Sequence, residues 1–148
     1  MNNINDAITI TFPDGKTKEY DKGITGYEIA ESIAKSLAKI AIAVSVDNIQ
    51  KDLSDSINSD SSISIITLEN EEGLEIMRHT LTAQVLAKAI KNLYPLAKLA
   101  IGPTIDNGFY YDVSFEKQIS SEDLPKIEKE MNKIIKNGSA INKTIHSK

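Results

Sequence analysis

Residues 7–39, AITITFPDGKTKEYDKGITGYEIAESIAKSLAK, decide the fold, because the spacing of their apolar side chains changes once and only once. Apolar and polar residues alternate up to Phe12, break at Pro13-Asp14-Gly15 and resume toward Tyr20, which is the pattern of two strands joined by a tight turn. Thr25 or Gly26 then opens a helix over 27–39 in which Ile29, Ile33 and Leu37 recur at helical spacing. Glu28 and Glu31 early in that helix, and Lys35 and Lys39 late, complement its dipole. One hairpin is followed by one helix.

Downstream, residues 40–53, IAIAVSVDNIQKDL, read as a strand running into a turn at Asp47-Asn48. After the polar loop 54–62 comes SISIITL at 62–68, a last strand carrying Ile63, Ile65 and Ile66. Strand, strand, helix, strand, strand is the β-grasp order, a small domain that can still fold alone. The acidic run ENEEG at 69–73 marks a boundary, giving a first domain over 1–68 and a second over 69–148.

The second domain opens with EIMRHTLTAQVLAKAIKNL at 75–93. A stripe of Leu74, Met77, Leu81, Val85, Ala89 and Leu93, widened by Leu86 and Ile90, predicts an amphipathic helix that Tyr94-Pro95 ends. KLAIGPTIDNGFYYDVSF at 98–115 reads as a strand, a Gly102-Pro103 turn, a second turn at Asn107-Gly108 and an aromatic strand. A final helix runs over 121–137, with Leu124, Ile127, Met131, Ile134 and Ile135 as its core face and Gly138 as its C-cap. Ser120 or Ser121 would open it, but Pro125 would lie beyond the first turn of a helix starting at Ser120, which points to Asp123 as the cap. The polar residues after it should be frayed.

Composition narrows the chemistry. The 148 residues include no cysteine, so disulfides, thiolate metal sites and cysteine nucleophiles are excluded. The N-terminus has no basic leader and no run approaches a membrane span, so the expectation is a cytoplasmic protein with no membrane partner. Net charge is −4, with 6 Lys/Arg against 10 Asp/Glu in 1–68 and 11 against 11 in 69–148. Wholesale affinity for a phosphate backbone is therefore not predicted. A local face of Arg78, Lys88, Lys91 and Lys98 remains the candidate for RNA contact, against the plainer reading of a solvated helix surface.

ITFPDGKTKEYDKGITGYEIAESIAKSLAK at 10–39 resembles a TGS domain, the β-grasp module at the N-terminus of threonyl-tRNA synthetases and of certain GTPases and stringent-response enzymes. EEGLEIMRHTLTAQVLAKAIKNLYP at 71–95 and AIGPTIDNGFYYDV at 100–113 resemble the start of the editing domain that threonyl- and alanyl-tRNA synthetases share. The resemblance implies an α+β fold: a β-grasp domain followed by part of an editing domain. It implies an N-terminal piece of a threonine-tRNA ligase, with tRNA as partner. ATP, Mg²⁺ and a catalytic zinc would then belong to a synthetase core outside these residues, with no cofactor or metal held in this chain. The alternative is a free-standing, degenerate TGS module that binds RNA or a protein.

The family's editing helix carries two histidines four residues apart, which stack on one helix face. Here His79 is followed at that spacing by Ala83, and the run is one residue longer than the family's, so that Gln84 takes the place of the second histidine. On a regular helix Gln84 lies about 140° around from His79, and only a π-bulge would bring it back. The family's downstream cysteine is absent, and the other histidine, His146, stands in the tail. His79, Gln84 and Tyr111 are thus expected to be an editing remnant without catalysis, because acid–base chemistry needs a partner for the imidazole. Apolar surface left uncovered on the helices at 74–93 and 121–137 predicts a homo-oligomer.

Overall fold

The computed structural model describes residues 6–147 and is built from two compact units that divide between Met77 and Arg78. Residues 1–5 of the expected first domain, and Lys148, lie outside the described residues.

In the first unit β1 (Ala7–Thr11) and β2 (Thr17–Asp21) form the expected hairpin, with Ile10 opposite Lys18 and Gly15 at φ 80° in the turn. That positive φ favours glycine, because L side chains rarely adopt this backbone conformation even where space is open, as it is here. The short β3 (Ile24–Thr25) leads into α1 (Gly26–Ile33). Thr25 is the N-cap: its hydroxyl accepts from Glu28 N, and the Glu28 carboxylate accepts from Thr25 N at 2.9 Å, a reciprocal capping box.

The single helix expected over 27–39 is in fact two. Ala34 is extended (φ −161°, ψ 137°) between α1 and α2 (Lys35–Ile40). On an unbroken helix Ile29 and Ala38 would lie about half a turn apart, by roughly 100° per residue. The break lets both be buried, and Ile33, expected on the core face, is left 50% exposed.

Next, β4 (Ala41–Val46) turns through Asp47 and Asn48, both at positive φ, into β5 (Ile49–Lys51). β6 (Ser56–Ile57) pairs with β3, and β7 (Ser61–Thr67) enters the middle of the sheet. Strand order is β2-β1-β7-β4-β5, with β1 and β7 parallel and the other pairs antiparallel. A helix between two hairpins, with first and last strands adjacent and parallel, is the β-grasp arrangement. Ile10, Ile29 and Val44 are fully buried at its centre, with Ile8, Val46, Ile57 and Ile63 around them. α1 lies close to the sheet because Gly26 has no side chain: a Cβ there would stand 2.7 Å from Val44 Cγ1.

α3 (Glu71–Thr80) begins inside the first compact unit, which runs to Met77. Asn70 ties it there. Its side chain accepts from Thr67 N at 2.8 Å and its carbonyl accepts from Leu74 N at 3.1 Å. Gly73 is buried against the Thr67 carbonyl and Ile42, with no room for a Cβ. The acidic run is therefore a turn packed on β7 rather than a linker.

In the second unit the helix continues as a π-helical segment, Leu81–Leu86, and then α4 (Ala87–Leu93). The predicted stripe is only partly buried: Ala89 and Ile90 are inside, while Leu74 and Met77 upstream and Leu93 are more than a third exposed. β8 (Lys98–Leu99) pairs with β11 (Val113–Ser114), and β9 (Thr104–Ile105) with β10 (Gly108–Phe109). Backbone bonds from Ala100 N to Asp112 O, Asp112 N to Ile101 O and Tyr110 N to Pro103 O join these pairs into one irregular hairpin. Gly102-Pro103 is consequently mid-strand, not a turn. The tip is Asp106-Asn107, since Gly108 already pairs with Ile105, and neither Asn107 nor Gly108 adopts positive φ.

A 3-10 turn, Ser121–Asp123, precedes α5 (Leu124–Asn137). Ser120 and Asp123 form its capping box, and Gly138 closes α5 at φ 57°. Both candidate caps are thereby used, and Pro125 sits in the first turn of α5. Ile127 is buried with Ile90 and Ala97, and Tyr94 meets Phe115 edge-on at 5.2 Å. Leu124 and Ile135, expected on this core face, are more than half exposed. From residue 139 the described tail is exposed and without regular structure.

Two outcomes test this packing. Helix propensity alone would have Gly73→Ala stabilise the chain by about 1 kcal/mol. The occupied space reverses the sign, because the obstacle is a backbone carbonyl, and overpacking of this kind costs about 1–3 kcal/mol. A lowered urea midpoint for the first unit is the expected result. For the capping box, hydrogen bonds from the Thr25 backbone N–H and then its hydroxyl hold the Glu28 carboxyl below its ordinary 4.5. A carboxylate depressed on folding stabilises above its unfolded pKa, and the contribution is lost as pH falls through the folded value. Glu28→Gln should therefore destabilise at neutral pH and flatten the fall in thermal midpoint below pH 4.5.

Candidate functional site

The helix at 75–93 is not uniform. Across Leu81–Leu86 the ladder changes from four-residue to five-residue spacing, so that Ala87 N donates to Thr82 O. Thr82 is 1% exposed, and its hydroxyl donates to Arg78 O at 2.7 Å, the carbonyl four residues back. The wider turn carries Gln84 part of the way back toward the His79 face.

His79, Ala83 and Gln84 are all exposed. Among the described residues His79 has no hydrogen-bond or ion-pair partner, so the structure sets neither its tautomer nor its orientation. Its ring and the Gln84 amide are not joined by a hydrogen bond. His146 is exposed in the tail.

Tyr111 is placed by a different device. Its ring lies over the Cα of Gly102, where an added Cβ would meet both the Tyr111 ring and the Thr82 methyl. The strand carrying Tyr111 thus touches the π-helical segment through a position without a side chain. Tyr110, its neighbour, is 54% exposed, as alternation along a strand requires. Thr82, Gly102 and Tyr111 come together, and His79 and Gln84 stand on the solvent side of the same segment.

The cationic candidates separate. Lys88 and Lys98 are exposed and Arg78 is half-buried. Lys91 is exposed, but its ammonium is engaged: it donates to Pro95 O at 2.5 Å and Ala97 O at 3.1 Å in the loop that follows α4.

A second basic face was overlooked. Lys126, Lys129, Lys133 and Lys136 border one open groove beside Leu93 and Asn132. Their spacing of three and four residues on α5 was legible as a stripe. Lys126 pairs with Asp123 at 3.0 Å and Lys133 with Glu130 at 3.8 Å, while Lys129 and Lys136 have no ion pair among the described residues. Hydrogen bonds from the Ser120 backbone and then from Lys126 hold the Asp123 carboxyl below its ordinary value, and Asp123 in turn raises Lys126. Among the described residues no group of three or more His, Asp or Glu is placed to hold a metal, and no helix is long and apolar enough to cross a membrane.

Residues 8–67 match the TGS domain family. Over 141 residues, 95% of the chain, the sequence is 48% identical to the threonine-tRNA ligase of Francisella philomiragia, covering 22% of that protein. Identity to the threonine-tRNA ligase of Acetivibrio thermocellus is 53% over 129 residues, 87% of this chain and 20% of that one. For the Agrobacterium fabrum ligase it is 46% over 145 residues, 98% and 21%. The chain spans about a fifth of the length of the curated relatives it matches.

Proposed function

Because residues 8–67 are a TGS domain and the similarity to threonine-tRNA ligases runs through both units, we propose that this chain is the N-terminal, RNA-facing region of a threonine-tRNA ligase. In this reading the joining of threonine to tRNA, which consumes ATP with Mg²⁺, is performed by sequence other than these residues, and so is any zinc chemistry. The observation that carries it is the 48% identity over 141 residues, which no match confined to the TGS domain could produce. His79 supports a binding rather than a chemical role, because an exposed imidazole with no hydrogen-bond partner among the described residues has no group to hold a water or a proton with it.

A second reading, a free-standing TGS module that binds RNA, is favoured by one feature: the π-helical segment with Ala83 and Gln84 where the family's editing helix keeps its second histidine. An intact mass near 16.3 kDa in the cell of origin would favour this reading, and a several-fold larger mass the first. Leu96, Ile101, Leu124 and Ile135, all more than half exposed, support self-association in either case.

Both readings make the same forecast for the purified chain. It should not charge tRNA with threonine in the presence of ATP and Mg²⁺, and it should retard tRNA in a gel with an affinity that falls as salt rises. Lys129→Gln with Lys136→Gln should reduce the slope of log affinity against log salt by about two, since each phosphate contact contributes about one. Threonine charging by this chain, or tRNA binding indifferent to salt, would sink the assignment.

A further inference from the structure

Two hollows in the second unit adjoin, and they differ in chemistry. The first is lined by Tyr94, Pro95 and Leu96 at the end of α4 and by Phe115 and Ile119 after β11. Its volume, about 380 Å³, lies within the range of small-ligand pockets. The second is the groove along α5 bordered by Lys126, Lys129, Lys133 and Lys136. Leu93 lines both, and Asp123 at the edge of the first accepts from Lys126 at the edge of the second at 3.0 Å. The two hollows are therefore one continuous surface.

Charge is segregated along it. In the groove four lysines meet one carboxylate, Glu130, which is already engaged by Lys133 and by Asn92 at 2.9 Å. In the first hollow Lys117 is outnumbered by Glu116 and Asp123, a balance that disfavours a phosphate. That hollow offers instead Tyr94 and Phe115, both half-buried, with ring centroids 5.2 Å apart and planes at 85°. Two rings at right angles form a corner in which a flat heterocycle can lie face-on to one and edge-on to the other, both favoured geometries. Every nucleotide joins such a heterocycle to a phosphate, so a basic track ending in an aromatic corner suits single-stranded nucleic acid. Bases paired in a duplex stack on one another and do not enter such a corner. We propose that the second unit binds an unpaired stretch of RNA, with one base in the corner between Tyr94 and Phe115 and the adjoining phosphates on Lys129 and Lys136. This rests on the RNA-facing reading above and adds to it which part of the RNA is held.

The test uses the full 148-residue chain. Two fluorescein-labelled probes of about eight nucleotides, a length one small module can hold, are compared: single-stranded RNA, and the same ribose-phosphate chain without bases. By anisotropy the base-bearing probe should bind about tenfold more tightly, since one stacked base contributes an effect of that order. Lys129→Gln with Lys136→Gln should weaken both probes alike. Phe115→Leu should weaken the base-bearing probe by about tenfold and leave the abasic one unchanged, whereas a merely structural role would weaken both. Because Phe115 also packs against the core of this unit, amide shifts of the parent chain give an independent readout. Those of Tyr94, Leu96 and residues 115–119 should move with the base-bearing probe and stay in place with the abasic one. Equal affinity for the two probes, or binding of tRNA but of neither probe, overturns the inference alone. Failure to bind tRNA as well overturns the reading on which it rests.

Discussion

Close approach of one backbone to another, at places where a side chain is missing, is the constraint on which the packing of both units depends. Gly26 lets α1 settle on Val44, Gly73 lets the first turn of α3 settle on the Thr67 carbonyl, and Gly102 lets the Tyr111 strand meet Thr82. The core is made almost wholly of isoleucine, valine and alanine, without a tryptophan or cysteine to fill gaps. Small aliphatic side chains bury enough apolar area only if the elements carrying them come near, because dispersion falls steeply with even a small gap. At each of the three sites the entropic disadvantage of glycine is offset by contacts that alanine would forbid.

Much of the fold was legible because its signals are local. The hairpin at Pro13-Asp14-Gly15, the Asp47-Asn48 turn and the caps at Thr25 and Gly138 each depend on a few neighbouring residues, and each appears where the sequence places it. What escaped was set by tertiary packing. The break at Ala34 exists because Ile29 and Ala38 must reach the same core, and the Asn107-Gly108 signal yields to a register fixed by Gly108 against Ile105. The acidic letters at 69–73 likewise do not announce that Asn70 and Gly73 settle on Thr67 of β7.

The candidate site divides along the same line. That His79 lacks a helical neighbour of its own kind was readable from Ala83 and Gln84, and so was the excess residue between them and the core face. Where the excess would be absorbed was not, since a fray, a kink or a π turn are all compatible with the letters LTAQVL. Lys91 shows the limit of reading charge from sequence. As a lysine on an amphipathic helix it belongs with Lys88, yet its ammonium closes the carbonyls of Pro95 and Ala97.

A histidine helix of this kind has to satisfy two periodicities at once. Its core face must meet α5 and the hairpin every 3.6 residues, while its polar face must present side chains at whatever spacing a ligand imposes. An insertion breaks one or the other unless it is confined to a single turn. Confinement preserves Ala89 and Ile90 in the core, and the cost falls on the polar face, where Gln84 is carried only part of the way toward His79. Phosphate contacts tolerate such a displacement better than proton transfer does, because they depend on charge and approach more than on sub-ångström geometry.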